Sequence, residues 1–225
     1  MGAELVDLIL SPDGWRTAPV EPRLAATLMY LDRLTREPES VTEAFIDEVI
    51  AAGATPSGLE SASLVCLVFS VINRLVDAFG ADLSPVEAQT LGAVLDKGGS
   101  AVARLRGRPK PWVRYGGTIP APLTTCLQEV RQGKGDAPPP IRAAIEARVA
   151  RQAGTIRPEP PALPEEVTDL VDTIAADAHG VTDAHIDRLK AAGWSEPAVY
   201  EFVFVASFAA GLGRLERAIR LLAAR

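Results

Sequence analysis

Two pairs of charged side chains recur in this sequence. Asp47 and Arg74 of the first half return, at one constant offset, as Asp187 and Arg214 of the second. A carboxylate and a guanidinium on neighbouring elements can form an ion pair, so Asp47 is expected to bridge to Arg74 and Asp187 to Arg214, fixing the angle between two helices. The chemical alternative is a cationic clamp. Arg74 beside Asn73, or Arg214 with Glu216 and Tyr200, would hold the carboxylate of a small ligand. Structural pairing is favoured, because both copies keep Asp and Arg while their apolar neighbours drift. Tyr115, His185 and Glu201 join Arg74 and Asn73 as candidate acid, base or clamping groups.

Thiol and metal chemistry find less support. Cys66 lies in the apolar run VCLVFS, where a buried thiol without a positive neighbour is expected to be an inert packing residue. Cys126, in PLTTCLQEV, has Arg131 five residues on and no histidine nearby in sequence. Two cysteines this far apart in the chain make neither a disulfide framework nor a zinc spacing. His179, His185 and Asp187 are acceptable ligand types, but histidines six residues apart miss the i, i+4 arrangement that aims two rings at one ion. No metal and no cofactor is expected.

Composition narrows the partners. The 225 residues are 48% hydrophobic and 23% charged, with net charge −6, which argues against general nucleic-acid binding. Arg104, Arg106, Arg108, Lys110 and Arg114, interleaved with Trp112 and Tyr115, form a local basic segment suited to phosphate or an acidic partner. A solvated linker countering an acidic body is the favoured account of it. The opening MGAELVDLILSPDGW lacks the basic region of a secretory signal. The longest apolar run, Ala62 to Ile72, is far shorter than the roughly 20 residues of a membrane span. A cytoplasmic protein without membrane contact is expected.

The elements that must position these groups read as helices. VTEAFIDEVIAAG at 41–53 returns as VTDAHIDRLKAAG at 181–193, identical at eight of thirteen positions. Thr42 and Thr182 read as N-caps, and Gly53 and Gly193 as helix stops. A helix over 24–36 precedes the first copy, and one over 164–176 precedes the second. Long apolar helices follow both, opened by Thr55-Pro56 and by Ser195. Two halves, 1–80 and 141–225, flank an insert at 81–140 that holds a short helix over Ser84–Asp96 and the proline run 138–140, read as linker. The long helices are apolar around most of their circumference, so self-association through them is expected.

These residues resemble a known family. LDRLTREPESVTEAFIDEVIAAG followed by a long helix ending FSVINRLVDAFG looks like the alkylhydroperoxidase D-like, or carboxymuconolactone decarboxylase-like, superfamily. The second half is similar to more divergent members. The resemblance implies an all-α fold of two tandem helical units, assembled as trimers or hexamers. It also implies a Cys-x-x-Cys redox motif after a lead-in similar to IEARVARQAGTIRP at 145–158. The two cysteine positions then fall on Thr155 and Pro158, and in the first half on Trp15 and Ala18. Neither half keeps the thiols. The expectation is a redox-inactive member serving as an oligomerising or small-ligand-binding scaffold, with a small carboxylate as the expected ligand class. The alternatives are a cofactor-independent decarboxylase, lactonase or isomerase on a small carboxylated molecule, or a divergent peroxidase-related protein.

Overall fold

The computed structural model describes residues 8, 9, 11, 14–80, 121–155, 157, 159–223 and 225. Tyr115, the basic aromatic segment at 104–115 and the expected helix at Ser84–Asp96 lie outside the described residues. Those described form an all-α fold, with no strand among them.

Each helix begins where the sequence offers a cap. After a single turn, α1 (Gly14–Thr17), α2 (Pro22–Arg36) opens on a proline whose missing N–H would have had no partner there. A 3₁₀ turn at Pro38–Ser40 leads to α3 (Glu43–Ala51), where the Thr42 hydroxyl accepts from the Phe45 amide. Gly53, at φ 111°, reverses the chain in a conformation that other residues resist. Thr55 then accepts from the Gly58 amide and starts α4 (Pro56–Ala78).

The second half uses the same devices. α7 (Glu165–Asp177) runs into a 3₁₀ turn at Ala178–Gly180. α8 (Asp183–Ala191) is held at its start by Thr182 and His185, and α9 (Glu196–Leu222) is capped by Ser195 accepting from Ala198. The second 3₁₀ turn follows the first, and α8 follows α3, at the same offset as the repeated sequence.

Between the halves, α5 (Ala121–Gln132) adds a helix to the partly irregular insert, at residues where none was expected. The proline run is no linker: Pro138 is the N-cap and Pro139 the first residue of α6 (Pro139–Gln152). Proline suits a first helical turn, whose amides lack in-helix acceptors.

α9 is the axis of the molecule, packed chiefly on α4 and α6 and then on α7. Two cores meet along it. Phe202, Leu212 and Leu215 sit in one with Leu170 and Ile174 of α7, and α4 adds Leu67 and Ala78. Tyr30, Leu34, Ile46 and Leu59 build the other, and the far end of α9 adds Ala218 and Leu222. Each long helix therefore stabilises the other half's core. α4 and α9 are both long and apolar enough to cross a membrane by length and composition. For α9 that hydropathy belongs to the core, since 83% of its most apolar window is buried, against 39% for α4.

The expected ion pairs are not formed. Arg74 donates from Nε to the Ile174 carbonyl at 3.2 Å and from Nη2 to that of Ala175 at 3.4 Å. Arg214 donates from Nε and Nη2 to the Thr35 carbonyl at 3.2 and 3.0 Å. Asp47 instead pairs with Arg225, Nε to Oδ1 at 2.6 Å, and Asp187 stands exposed on α8. The physical reason is the crossing of the halves. Each arginine is carried to the C-terminal turn of α2 or α7 in the opposite half, where the carbonyls lack in-helix donors and the helix dipole favours a cation. Thr35 and Ala175 occupy matching positions of the two halves, as Arg74 and Arg214 do, so the two clasps are reciprocal. Burial pushes the Arg74 guanidinium down to about 10 and lowers that of Arg214 as well, while the two cations also repel each other.

Candidate functional site

The candidate groups do not meet at one place. Arg74 is committed to backbone carbonyls, and its neighbour Asn73 is exposed. Arg214 lines a recess of only about 30 Å³ with Gln152 and Ala153. His185 closes a capping box: its Nδ1 takes the Thr182 amide at 3.1 Å, and its Nε2 lies 3.6 Å from Asp169. His179 is exposed on the 3₁₀ turn. Cys66 is buried at 3.5 Å from the Thr35 hydroxyl, a packing position. Glu201, Tyr200 and Cys126 line one cavity, described below.

At the positions where the resemblance would place redox thiols, Thr155 turns its hydroxyl back to donate to the Ala150 carbonyl at 2.6 Å, closing the end of α6. Pro158 lies outside the described residues. In the first half, Trp15 lines a recess of about 460 Å³ with Asp32, Arg33 and Arg36, and its indole N–H is buried without a partner among the described residues. Ala18 is half-buried beyond it. No group at these positions can form or break a disulfide.

Beside Thr155 stands a buried charge cluster that the sequence reading missed. Glu146, 3% exposed, receives a two-pronged bond from Arg131, Nε to Oε2 and Nη2 to Oε1, each at 2.5 Å. Arg157 lies 3.6 Å from Glu146 and donates to Glu216 at 2.5 Å. Burial pushes the Glu216 carboxyl up, while Arg157 opposes that shift. Two arginines and two glutamates balance, as a buried cluster must. The group ties α5, α6 and α9 together as a structural fastening.

A cavity of about 290 Å³ opens between α5, α6 and α9. Arg142, on the first turns of α6, is 5% exposed and lines it. Its Nη2 donates to the Gly133 carbonyl at 2.6 Å, its Nη1 is 4.0 Å from Glu201, and its Nε has no partner among the described residues. Glu201 accepts from the amides of Asp136 and Ala137 at 2.9 and 3.1 Å, pinning the loop after α5. Cys126, Lys134 and Phe204 also line this space. Glu201 was visible in the sequence, but Arg142 was not, because the arginine reaches the cavity only once the proline run starts a helix.

The remaining feature is a surface. Val65, Val68, Phe69, Ile72 and Phe79 are exposed on one side of α4, Val65 at 45%, Phe69 at 57% and Ile72 at 48%. Val65, Phe69, Ile72, half-buried Val76 and Phe79 follow one another at intervals of four, three, four and three. That spacing is the seam of two helices packed side by side. Tyr200 extends the patch by stacking on Phe79 at 5.3 Å.

No family model matches the sequence, and no curated protein and no solved structure matches it.

Proposed function

We propose that this chain is a non-redox helical scaffold that assembles with further copies of itself through α4. The exposed seam on α4 carries the proposal. Soluble single chains leave isolated apolar side chains in water, but a contiguous row of this length marks an interface. The occupant is inferred from the chain itself. The positions of the second half that match Val65, Val68, Phe69 and Ile72 are Val205, Phe208, Ala209 and Leu212, all buried. They belong to α9, which is packed on by α4, α6 and α7. α4 has no such cover among the described residues, so its face fits another apolar helix. The stripe is uncharged, and its four-three spacing suits a second α4 better than an irregular or acidic partner.

Two further observations support reading the halves as tandem copies of an alkylhydroperoxidase D-like unit. Turns and helices recur at one constant interval along the chain, and the arginine clasps are reciprocal. The scaffold reading also rests on what stands at the matched thiol positions, an indole, a methyl and a capping hydroxyl.

A cross-link tests the seam. Ile72 is at its midpoint, so parallel and fully overlapped antiparallel pairs of α4 both bring it against its own copy. In a Cys126→Ser background, Ile72→Cys is expected to form an intermolecular disulfide under mild oxidation, within the few ångströms that a disulfide spans. Asn73→Cys, one residue off the seam, is expected to cross-link much less. Equal cross-linking of the two would contradict the seam.

A further inference from the structure

The cavity between α5, α6 and α9 is, we infer, a binding site for a small carboxylic acid with an apolar body. The inference stands independently of self-association. Its centre is Arg142, a cation buried to 5% exposure whose Nε–H has no partner among the described residues. An unmet donor of this kind costs about 1–3 kcal/mol, and charged groups lie at the upper end. A carboxylate oxygen entering the cavity supplies a counter-charge to the guanidinium and an acceptor for Nη1, which makes no hydrogen bond among the described residues.

Glu201 does not fill that role. Its two oxygens are each held by a loop amide, and the nearer one stops 4.0 Å from Arg142 Nη1, outside hydrogen-bond range. Those two amides also bring partial positive charge to Glu201, so the guanidinium is not consumed by it. At the mouth, Lys134 makes no hydrogen bond or ion pair among the described residues, and Glu129 stands close by. The mouth is therefore near neutral, and discrimination between an acid and its neutral analogue falls to Arg142. Val130, Phe204 and Val205 give the apolar wall that holds the rest of the ligand. A few polar groups on an otherwise apolar cavity is the usual build of a small-molecule site.

Cys126 reports on occupancy, because it lines the cavity and is partly exposed, while Cys66 is buried and serves as an internal control. The test measures alkylation of Cys126 by iodoacetamide in the wild-type chain, with phenylacetate or phenylacetamide added as probe. Phenylacetate is expected to slow the reaction at least about tenfold at saturation, with half effect on the order of 1 mM or below. Phenylacetamide, equal in shape but uncharged, is expected to leave the rate within about twofold at the same concentration. In Arg142→Gln with wild-type helical circular dichroism, the acid is expected to protect no better than the amide. Equal protection by acid and amide in the wild type, or protection by neither, overturns the inference, and these comparisons do not depend on how the variant folds.

Discussion

Gly213→Leu is expected to destabilise the chain by about 3 kcal/mol or more, and Gly211→Leu by a comparable amount. A Cβ at Gly213 would stand 2.7 Å from the Ala153 Cβ and 3.2 Å from the Ala150 Cα, both at the end of α6. At Gly211 it would stand 2.9 Å from the Leu67 carbonyl oxygen and 3.3 Å from the Leu67 Cα, on α4. Residues two apart on a helix point to nearly opposite sides. The two glycines thus open both flanks of α9, one to each neighbour. The obstructing atoms are backbone and a methyl group, with no flexible side-chain end to swing aside, so a larger residue must push the helices apart. Chemical denaturation reads the effect as a fall in midpoint at an unchanged slope. A loss under about 1 kcal/mol at both positions would mean that α9 is not gripped from two sides.

The second large effect is expected from Glu146→Ala, a loss of about 3 kcal/mol. The substitution strips Arg131 of both its bonds and leaves Arg157 with Glu216 alone. A paired buried charge contributes little net stability, whereas removing one partner leaves the other uncompensated, and here two cations lose a shared anion. Arg131 is about one-third exposed, which keeps the cost below that of a fully buried cation. The matched control is Arg148→Ala. It breaks a pair of similar geometry with Asp172 at 2.6 Å, and the arginine is as exposed as Arg131, but Asp172 is 37% exposed where Glu146 is 4%, so a loss under about 1 kcal/mol is expected. Amide hydrogen exchange should also show α5 losing protection in Glu146→Ala, since Arg131 is its charged tie to α6. Equal losses in the two variants would show that burial does not set the worth of these pairs.

The parts of this fold that are chemically local were legible in the sequence. Thr42, Thr55 and Ser195 cap helices as their residue types and positions indicated, and Gly53 and Gly193 take the positive φ that ends α3 and α8. α5 was hidden although its pattern was present. Leu123, Cys126, Leu127 and Val130 share one face at helical spacing, but flanking prolines suggested a linker. One of those prolines proved to open α6, which a single sequence does not separate from a proline in a loop.

Partners distant in the chain were not legible at all. Arg74 bonds carbonyls 100 and 101 residues away, and a backbone carbonyl leaves no signature in residue type. An aspartate on the preceding helix was the nearest visible acceptor, and it faces Arg225 instead. Glu146 and Arg142 gave no sign of their roles, because their burial depends on where α5 and α9 close over α6. The asymmetry of the long helices was equally hidden. α4 and α9 are both apolar on several sides, and α9 is covered by α6 and α7 as well as by α4, while α4 keeps an open face.

Self-assembly through that open face is the central claim, and the solution mass by light scattering tests it most directly. The wild-type chain is expected to run as a whole-number multiple of 23.8 kDa, two chains or more. Phe69→Glu with Ile72→Glu, which places two charges in the seam, is expected to give the single-chain mass with helical content unchanged. A wild-type mass of 23.8 kDa that persists at concentrations on the order of 100 μM would contradict the account.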